Sequence, residues 1–516
     1  EEDCRATHLL RDWLLERKEA IAEFGPIPTP PPVDPKELKP EKVERAELRL
    51  ALLETGDPAA ARAGELLDYH DRERKPVWWA MFDRMEASPE ELVEDAESIG
   101  LLELVSGPEP VARSQCWTFT YPPQEHKIGQ GQDVIDPATG FYAGDVTELD
   151  REERRLVLKR GPTLDDVPLP KALAPGAPFF TKAQEDALLR FGRSLLAGDG
   201  RYPALESVLR RTPHPGPIQT NDLDELERLL LSLDGGHLFV QGPPGSGKTW
   251  AGGRLVARLL VGGKRVGVAS TSHKAIHKLL DEVEAGADEV GLDLRGCKKA
   301  SSGNPESFYE SERIENRTDV ADCLDWPLAA GTAWLFADPR FDAKLDYLFV
   351  DEGGQVSLAD ALAMATCARN LVLLGDPLQL GQVLQGTHPE GAAASVLEHL
   401  LGEEGTIPED RGIFLERTFR LHPDVCRYIS EAFYEGRLEP DPRTAERTTP
   451  FGTGVRYLPV EHEGRRQDSP EEAARIREEI GRLLAAGMRA PDIKVVAPYN
   501  AQVNMLRELL PAEVPV

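Results

Sequence analysis

Apolar positions recur at helical spacing over residues 2–24 (EDCRATHLLRDWLLERKEAIAEF), where Leu9, Leu10, Trp13, Leu14 and Ile21 share one side. The pattern then breaks. Residues 25–40 (GPIPTPPPVDPKELKP) hold seven prolines, which cannot sustain a helix or a central strand and read as a semi-rigid linker and domain boundary. Residues 41–110 predict a helical arm, one helix of which carries Val77, Trp78, Trp79, Met81 and Phe82. From 111 to 165 the texture changes to short alternating runs, Cys116–Tyr121 and Arg155–Lys159 among them, separated by Gly, Pro and Asp; a small β-rich module is expected there. After residue 175 strand, turn and helix patterns repeat. HLFVQ (237–241), RVGVAS (265–270), YLFV (347–350), LVLLG (371–375) and IKVVAP (493–498) are short β-branched runs, most followed by a helical pattern. They predict parallel sheets with functional loops at the strands' carboxyl ends.

Composition narrows the class. The 516 residues are 41% hydrophobic and 29% charged, enough of both for several soluble domains, and wholesale disorder is excluded. No run approaches the ~20 apolar residues of a membrane span, so no membrane partner is expected. The six cysteines (Cys4, Cys116, Cys297, Cys323, Cys367, Cys426) form no CxxC pair; neither a disulfide scaffold nor a zinc site is suggested, and the expected compartment is the reducing cytoplasm. The net charge of −29 argues against a nucleic-acid partner, whose non-specific affinity comes from Lys and Arg neutralising phosphates. The first residue is Glu1 rather than Met, as in a segment of something longer.

The most specific local signal is Gly242-Pro243-Pro244-Gly245-Ser246-Gly247-Lys248-Thr249, a GxxxxGK[ST] match between the strand HLFVQ and a helical pattern. Its glycines let backbone N–H groups approach phosphate oxygens, and the helix N-terminus adds favourable partial charge. Lys248 would reach the β- and γ-phosphates of ATP, and Thr249 would ligate Mg²⁺. A second carboxylate site follows YLFV: Asp351 would hold Mg²⁺ through water and Glu352 would orient and deprotonate the attacking water. After LVLLGD, Gln379 sits where a neutral amide could touch both the γ-phosphate and that water.

Eight motifs in order, TKAQEDAL (181–188), GPPGSGKT (242–249), ASTSHKAI (269–276), GTAW (331–334), DEGGQ (351–355), GDPLQL (375–380), ERTFRLHP (416–423) and VVAPYNAQ (495–502), make the chain resemble the Upf-like group of superfamily 1 helicases across residues 180–502. The resemblance implies an α/β chain with two RecA-like parallel-sheet P-loop domains, the first at 166–394 and the second, incomplete, at 395–516. The helical stalk (41–110) and a small β-barrel (111–165) would precede them. It implies that Gln184 reads the adenine edge, that Phe419 lies against the base, and that Arg420 reaches across from the second domain to the γ-phosphate. Single-stranded DNA or RNA would lie on the face away from ATP, held by Ser270, Thr271, His273, Lys274 and Thr332 in the first domain and by Pro498 and Tyr499 in the second. Hydroxyls and backbone amides bind phosphate without adding charge, which reconciles an acidic chain with this partner.

The pattern departs from the family in one respect. A DxxQG-type coupling motif and a second arginine contact, which the group carries beyond the region like 495–502, do not occur before Val516, so the 516 residues hold an incomplete motor. At the other end, Glu2-Asp3 before the amphipathic helix of 1–24 is similar to the last helix of an RNase H-like nuclease, and bacterial proteins fuse such nucleases to this helicase type; an ordinary N-capped helix is the alternative. His273 and His277, four apart, could be metal ligands or plain helix residues. Trp78 and Trp79 could stack on bases or be buried in the arm. The function implied is ATP-driven movement on single-stranded nucleic acid, 5′→3′, within a nuclease-helicase; the alternative is a nucleotide-gated binding or scaffold subunit. If hydroxyls and amides form most of the phosphate track, affinity for single-stranded nucleic acid, measured as a function of salt, is expected to fall less steeply than for a basic DNA-binding protein.

Overall fold

The strands at the centre of the chain are buried from end to end, His237–Gln241 and Val266–Ala269 on every residue, which is the signature of a parallel sheet covered on both faces. The computed structural model describes residues 40–151 and 153–516, so the expectations for residues 1–39 lie outside the described residues. The chain divides into two compact units, Glu1–Glu47 and Leu48–Val516. In chain order the first helices are α1 (Pro40–Glu54), α2 (Pro58–Leu66) and α3 (Tyr69–Glu86).

Strands β1 (Glu103–Val111), β2 (Ser114–Thr120), β3 (Asp133–Asp136), β4 (Phe141–Asp150), β5 (Arg155–Arg160) and β6 (Ala174–Pro175) follow, in one antiparallel sheet of order β1-β2-β5-β4-β3-β6. Phe119, Val134, Val146, Leu156 and Leu158 form its core. The module is therefore wider than 111–165, and no ladder among the described residues joins β1 to β6, so hydrogen bonding leaves an open sheet rather than a closed barrel. β1 escapes the alternation test because it is exposed on every residue, an edge strand carrying Pro108 and Pro110 as edge strands can.

Helices α4 (Lys182–Ala197), α5 (Pro203–Leu209) and α6 (Leu223–Ser232) lead into the parallel sheet. Its strands are β7 (His237–Gln241), β8 (Val266–Ala269), β9 (Gly296–Lys299), β10 (Ile314–Arg317), β11 (Leu328–Gly331), β12 (Leu345–Val350), β13 (Ala368–Gly375) and β14 (Ile413–Phe414), in the order β10-β9-β11-β8-β12-β13-β7-β14. The connecting helices include α7 (Lys248–Val261), α8 (His273–Val290), α9 (Ala333–Phe336), α10 (Leu358–Ala365) and α11 (Val396–Leu401). β14 pairs with β7 through Ile413 and Phe414, so the first sheet extends past the boundary at 394. Gln219 caps this edge: its amide donates to Phe414 O at 2.8 Å and its carbonyl accepts from Phe414 N at 3.0 Å.

Beyond β14 lie α12 (Pro423–Phe433), α13 (Pro470–Ala485) and α14 (Asn500–Leu509), with only the two-residue pair Arg417–Thr418 and Glu439–Pro440 as strand. Among the described residues, that pair, which is parallel, is all of the expected second sheet that is formed. IKVVAP (493–498) has no neighbouring strand to pair with, a parallel strand being stable only in a ladder; Ile493 and Val495 pack instead with Leu506 and Leu510. Two further expectations are corrected. Cys297 and Cys323 are paired as a disulfide, with Cα atoms 5.7 Å apart, which removes the cysteine-based ground for a reducing compartment. Trp79 is 67% exposed, whereas Trp78 packs on Met81, Ile135 and Ala174. Among the described residues no helix is long and apolar enough to cross a membrane.

Burial also leaves a mark on pH dependence. It lowers His237, at the head of β7, to about 3, and His126, His273 and His399 to about 4, from an ordinary 6.5. The unfolded chain therefore binds more protons than the folded one below pH 6.5, and each imidazole withdraws stability as pH falls from there towards its folded value. Asp351, raised to about 6 from 3.8 by burial, acts in the opposite direction and offsets one of them. Stability measured by chemical denaturation is expected to be level between about pH 6.5 and 8, where the lowered Lys298 begins to titrate, and to decline below pH 6.5, before the paired carboxylates titrate; a flat profile down to pH 5 would contradict this reading.

Candidate nucleotide site and nucleic-acid track

Strand order assembles the site. β12, β13 and β7 are neighbours, so the loops that follow them, Asp351-Glu352, Asp376–Gln379 and the glycine-rich loop 242–249, leave the sheet side by side at its carboxyl edge. Gly242 N donates to Gly375 O at 2.9 Å and ties two of these loops together. The glycine-rich loop folds around Lys248, and Gly245 (φ +77°) and Gly247 (φ +85°) take left-handed conformations that favour glycine. Lys248 is 8% exposed, and its ammonium donates to Gly242 O at 2.5 Å. Burial lowers its pKa, while Glu352, Asp351 and Asp376 oppose the shift. Asp351, 1% exposed, accepts from Thr249 Oγ1 at 3.2 Å and from Glu352 N at 2.9 Å. Its carboxyl is raised to about 6 by burial and by the Glu352 charge. Glu352 has φ +54°, strained for a residue with a side chain, at the turn that leads from β12 into Gly353–Gln355. Gln379 Nε2 donates to Asp376 Oδ2 at 3.0 Å, which also accepts from Tyr434 OH at 2.6 Å.

A cavity of about 730 Å³ opens onto this edge, lined by residues 244–249 with Glu352, Gln379, Phe419 and Arg420. Ser246 Oγ is buried there without a hydrogen-bond partner, and Thr249 and Asp351 present adjacent oxygens. That donor set, an orphan hydroxyl with an ammonium and backbone N–H groups, fits a polyphosphate; the Thr249–Asp351 oxygens fit a hard divalent cation such as Mg²⁺. A second cavity, of about 440 Å³, is lined by Ser207, His214 and His237 at the amino end of β7, away from these groups.

Arg420 reaches the cavity by a different route from the one expected. It follows β14 at the edge of the first sheet and does not hang from a second sheet. Leu415 N donates to Gln241 O at 2.9 Å, Thr418 Oγ1 to Pro244 O at 2.8 Å, and Phe419 N to Gly245 O at 2.9 Å. A Cβ on Gly245 would lie 2.3 Å from Arg420 Cβ, so the segment sits directly on the loop. Phe419 stays part-exposed, with the Arg443 guanidinium 5.7 Å from its ring centre. Thr418, fully buried, is the bridging residue that motif reading passed over although it stands inside ERTFRLHP. Asn221, Leu223, Trp250 and Lys278 also line the cavity and carried no sequence signal. Gln184 does not. It is 1% exposed on α4 with its carbonyl oxygen unpartnered, and is not among the lining residues.

The proposed nucleic-acid residues divide in the same way. Ser270, Thr271, His273 and Lys274 follow β8, and Thr332 follows the adjacent β11, so the fold brings these five to neighbouring strand ends. Thr271 and Lys274 are exposed; Ser270 is 2% exposed with its hydroxyl unpartnered. His273 Nδ1 is 3.1 Å from the ammonium of Lys298, a buried lysine lowered to about 8 by burial, and the His273 and His277 rings lie 6.3 Å apart. Pro498 and Tyr499 are exposed at the head of α14, beside the separate cluster of Val495 and Leu506.

Two family models described as AAA domain match residues 226–400 and 392–515. The DNA replication ATP-dependent helicase/nuclease DNA2 of Gallus gallus is 24% identical over 294 residues, covering 55% of this chain and 29% of that protein. A regulator of nonsense transcripts 1 homolog of Drosophila melanogaster is 24% identical over 384 residues, 61% of this chain and 31% of that protein. The DNA polymerase alpha-associated DNA helicase A of Schizosaccharomyces pombe is 21% identical over 348 residues, 53% and 51%. The chain belongs to the Upf-like group of superfamily 1 helicases. That family is one of ATP-hydrolysing enzymes, and the chain spans about a third to a half of the length of these curated relatives.

In this helicase-family chain the contact of Gly245 with the Thr418–Arg420 segment is separable from loop conformation alone. Gly247 has a similar φ but open space around it. Gly245→Ala and Gly247→Ala are each expected to weaken nucleotide binding by about tenfold, the ~1–2 kcal/mol cost of a side chain in the left-handed region. Only Gly245→Ala should speed hydrogen exchange at the Phe419 amide; equal exchange in the two variants would deny the seat described above.

Proposed function

We propose that this chain is the motor portion of an ATP-dependent helicase or translocase acting on single-stranded nucleic acid. The observation that carries the reading is the meeting of three adjacent strand ends, β12, β13 and β7, with Arg420 seated on the loop between them. Lys248 and the backbone N–H groups of residues 242–249 bind the β- and γ-phosphates. Thr249 and Asp351 would hold Mg²⁺, which supplies charge neutralisation at the phosphates when bound. Glu352 orients a water in line with the γ-phosphorus and takes its proton as the new P–O bond forms and the bond to the β-phosphate oxygen breaks. Lys248 and Arg420 stabilise the charge that develops on the transferring group. Gln379, anchored on Asp376, touches the same region and moves with the state of the nucleotide. Phe419 packs against the base; Gln184, outside the cavity, supplies no base contact here.

Nucleic acid lies along Ser270, Thr271, His273, Lys274 and Thr332. The relatives' names supply both a DNA replication helicase/nuclease and a regulator of nonsense transcripts, so DNA and RNA are both substrates to test. By family resemblance movement is 5′→3′ and a nuclease belongs to the same polypeptide; Pro498 and Tyr499 are the second domain's part of the track. One observation favours the nucleotide-gated binding reading instead, namely that the described residues beyond 414 pair into no parallel sheet larger than the two-residue ladder of Arg417–Thr418 with Glu439–Pro440. Strand displacement measured beside ATP-dependent binding separates the two.

The test is ATP hydrolysis with and without single-stranded DNA or RNA. Lys248→Ala is expected to abolish nucleotide binding, and Glu352→Gln to keep binding while lowering kcat by about 10²- to 10⁴-fold, the usual contribution of a general base. No hydrolysis in the unmodified chain, or hydrolysis indifferent to both substitutions, would overturn the reading.

A further inference from the structure

Helix α3 touches two functional regions with its two halves. Its first turns hold the loop that follows Gln379. Glu73 accepts hydrogen bonds from Gln385 N and Gly386 N, each at 3.0 Å, and its Oε1 lies 2.5 Å from His388 Nε2. The Tyr69 ring stacks on His388 with centroids 4.4 Å apart. Gly386 runs so close that a Cβ there would lie 2.4 Å from Arg72 O. One residue further, His70 Nε2 is 3.0 Å from Asp360 Oδ1, and Asp360 accepts from Ser357 Oγ at 2.8 Å, in the segment that follows Asp351-Glu352. Arg74 donates to Thr181 Oγ1 at 2.6 Å and is paired with Glu185 at the head of α4.

The last turns of α3 hold the β module. Met81 and Trp78 pack on Ile135 of β3 and Ala174 of β6. Arg84 Nε donates to Asp95 Oδ2 at 2.6 Å, and Met85 lies against Gly140 in the β3–β4 turn. From Glu73 to Arg84 α3 covers about 16 Å at 1.5 Å per residue, with Pro76 inside it, where the missing N–H opens the ladder at the Arg72 carbonyl that Gly386 approaches; displacement at Glu73 is carried along α3 through this point. Between Gln379 and Gln385 Leu380 is 86% and Val383 83% exposed and Gln382 donates to Ala393 O; the far end of the loop is held to α3 by the carboxylate of Glu73 together with the stack of Tyr69 on His388.

We propose that Glu73 is a positioning residue that locks the Gln379 loop to α3, so that a shift of Gln379 with the nucleotide state is carried along α3 to the β module. The inference rests on the nucleotide reading of the site given above. It assigns the β module a role as a part driven by the nucleotide rather than a passive appendage.

The experiment is hydrogen exchange of the full chain with and without a non-hydrolysable ATP analogue and Mg²⁺, with analogue affinity measured by titration alongside. In the unmodified chain the analogue is expected to change exchange in β3 and β4, the strands next to the α3 contacts, by about threefold, within the range over which side chains between coupled sites act. In Glu73→Ala, affinity should stay within about twofold while the change in β3 and β4 disappears and that in 375–391 persists. Gly386→Ala, which forces the loop off Arg72 with Glu73 intact, should reproduce the loss. The two backbone N–H groups use separate oxygens of Glu73, so Glu73→Gln keeps an acceptor for one of them and sets an amide NH2 against the other; its response should fall between those of the unmodified chain and Glu73→Ala, a grading that a purely structural role would not produce. Nucleotide binding without any response in the β module, or a full response in Glu73→Ala and Gly386→Ala, overturns the inference while leaving the function intact. No nucleotide binding at all overturns both, and the titration alone reports it.

Discussion

A lysine ammonium buried in the mouth of a parallel sheet is the constraint from which the rest of this architecture follows. Lys248 lies within a loop that wraps it so closely that a Cβ on Gly242 would overlap its side chain. An ammonium taken out of water must be matched by opposite charge. Asp351, Glu352 and Asp376 provide it, and they come from the ends of β12 and β13. Those strands must then lie close on one side of β7, and they do: β13 pairs with β7 and β12 with β13. The same order leaves β8 and β11 on the other side of β12, which separates the phosphate site from the Ser270 and Thr332 loops within one sheet edge. Asp351 is in turn raised to about 6 by burial and by the charge of its neighbour Glu352. Mutual charge compensation, a polar vacancy at Ser246 and a strained Glu352 together describe a site balanced for an anionic ligand with its cation.

The net charge of −29 takes on a different meaning in this setting. Part of the acidity goes into ion pairs such as those of the buried Arg254 with Glu282 and Glu289, and into the carboxylates that hold Lys248. The expected track offers exposed Thr271 and Lys274 and a buried Ser270, with Lys298 behind them in the core. Its lowered pKa shows that burial, not a phosphate, sets its environment in the free chain.

The motifs that lie on strand ends were legible because their chemistry and their secondary structure are specified by the same few residues. The glycine-rich loop, Asp351-Glu352 and Gln379 all fall where strand-then-turn patterning placed them. What was not legible depended on partners distant in sequence. β1 carries no alternation because it is an edge strand, and its exposed residues and prolines look like loop. IKVVAP has the composition of a strand, but a strand is made by its neighbours, and the described residues offer it none. Arg420 was expected on the far side of a cleft because motif order says nothing about which sheet edge carries β14. Gln184 has the residue type for reading a base, yet α4 turns it into the interior, and Thr418, without a distinctive chemistry of its own, forms the bridge to the loop. Cys297 and Cys323 meet only because β9 and the turn before β11 are folded together.

The two closest backbone approaches around the Gln379 and Arg420 segments share one device. At Gly245 the loop accepts the Thr418–Arg420 segment, and at Gly386 the loop after Gln379 accepts Arg72 of α3. In both places a main-chain carbonyl or amide is engaged where a side chain would have kept the partner away: Gly245 O by Phe419 N, and Gly386 N by Glu73. Contacts of this kind are short and directional, so they tolerate little sliding before they break. Side-chain packing, by contrast, can absorb a shift of several tenths of an ångström by changing rotamers. A motor that must convert a small change at a phosphate into displacement elsewhere gains from the first kind of contact at its junctions and the second kind within its cores. The β module is reached from the loop through a single helix, α3, whose ladder is interrupted only at Pro76, next to the Arg72 carbonyl on which Gly386 sits.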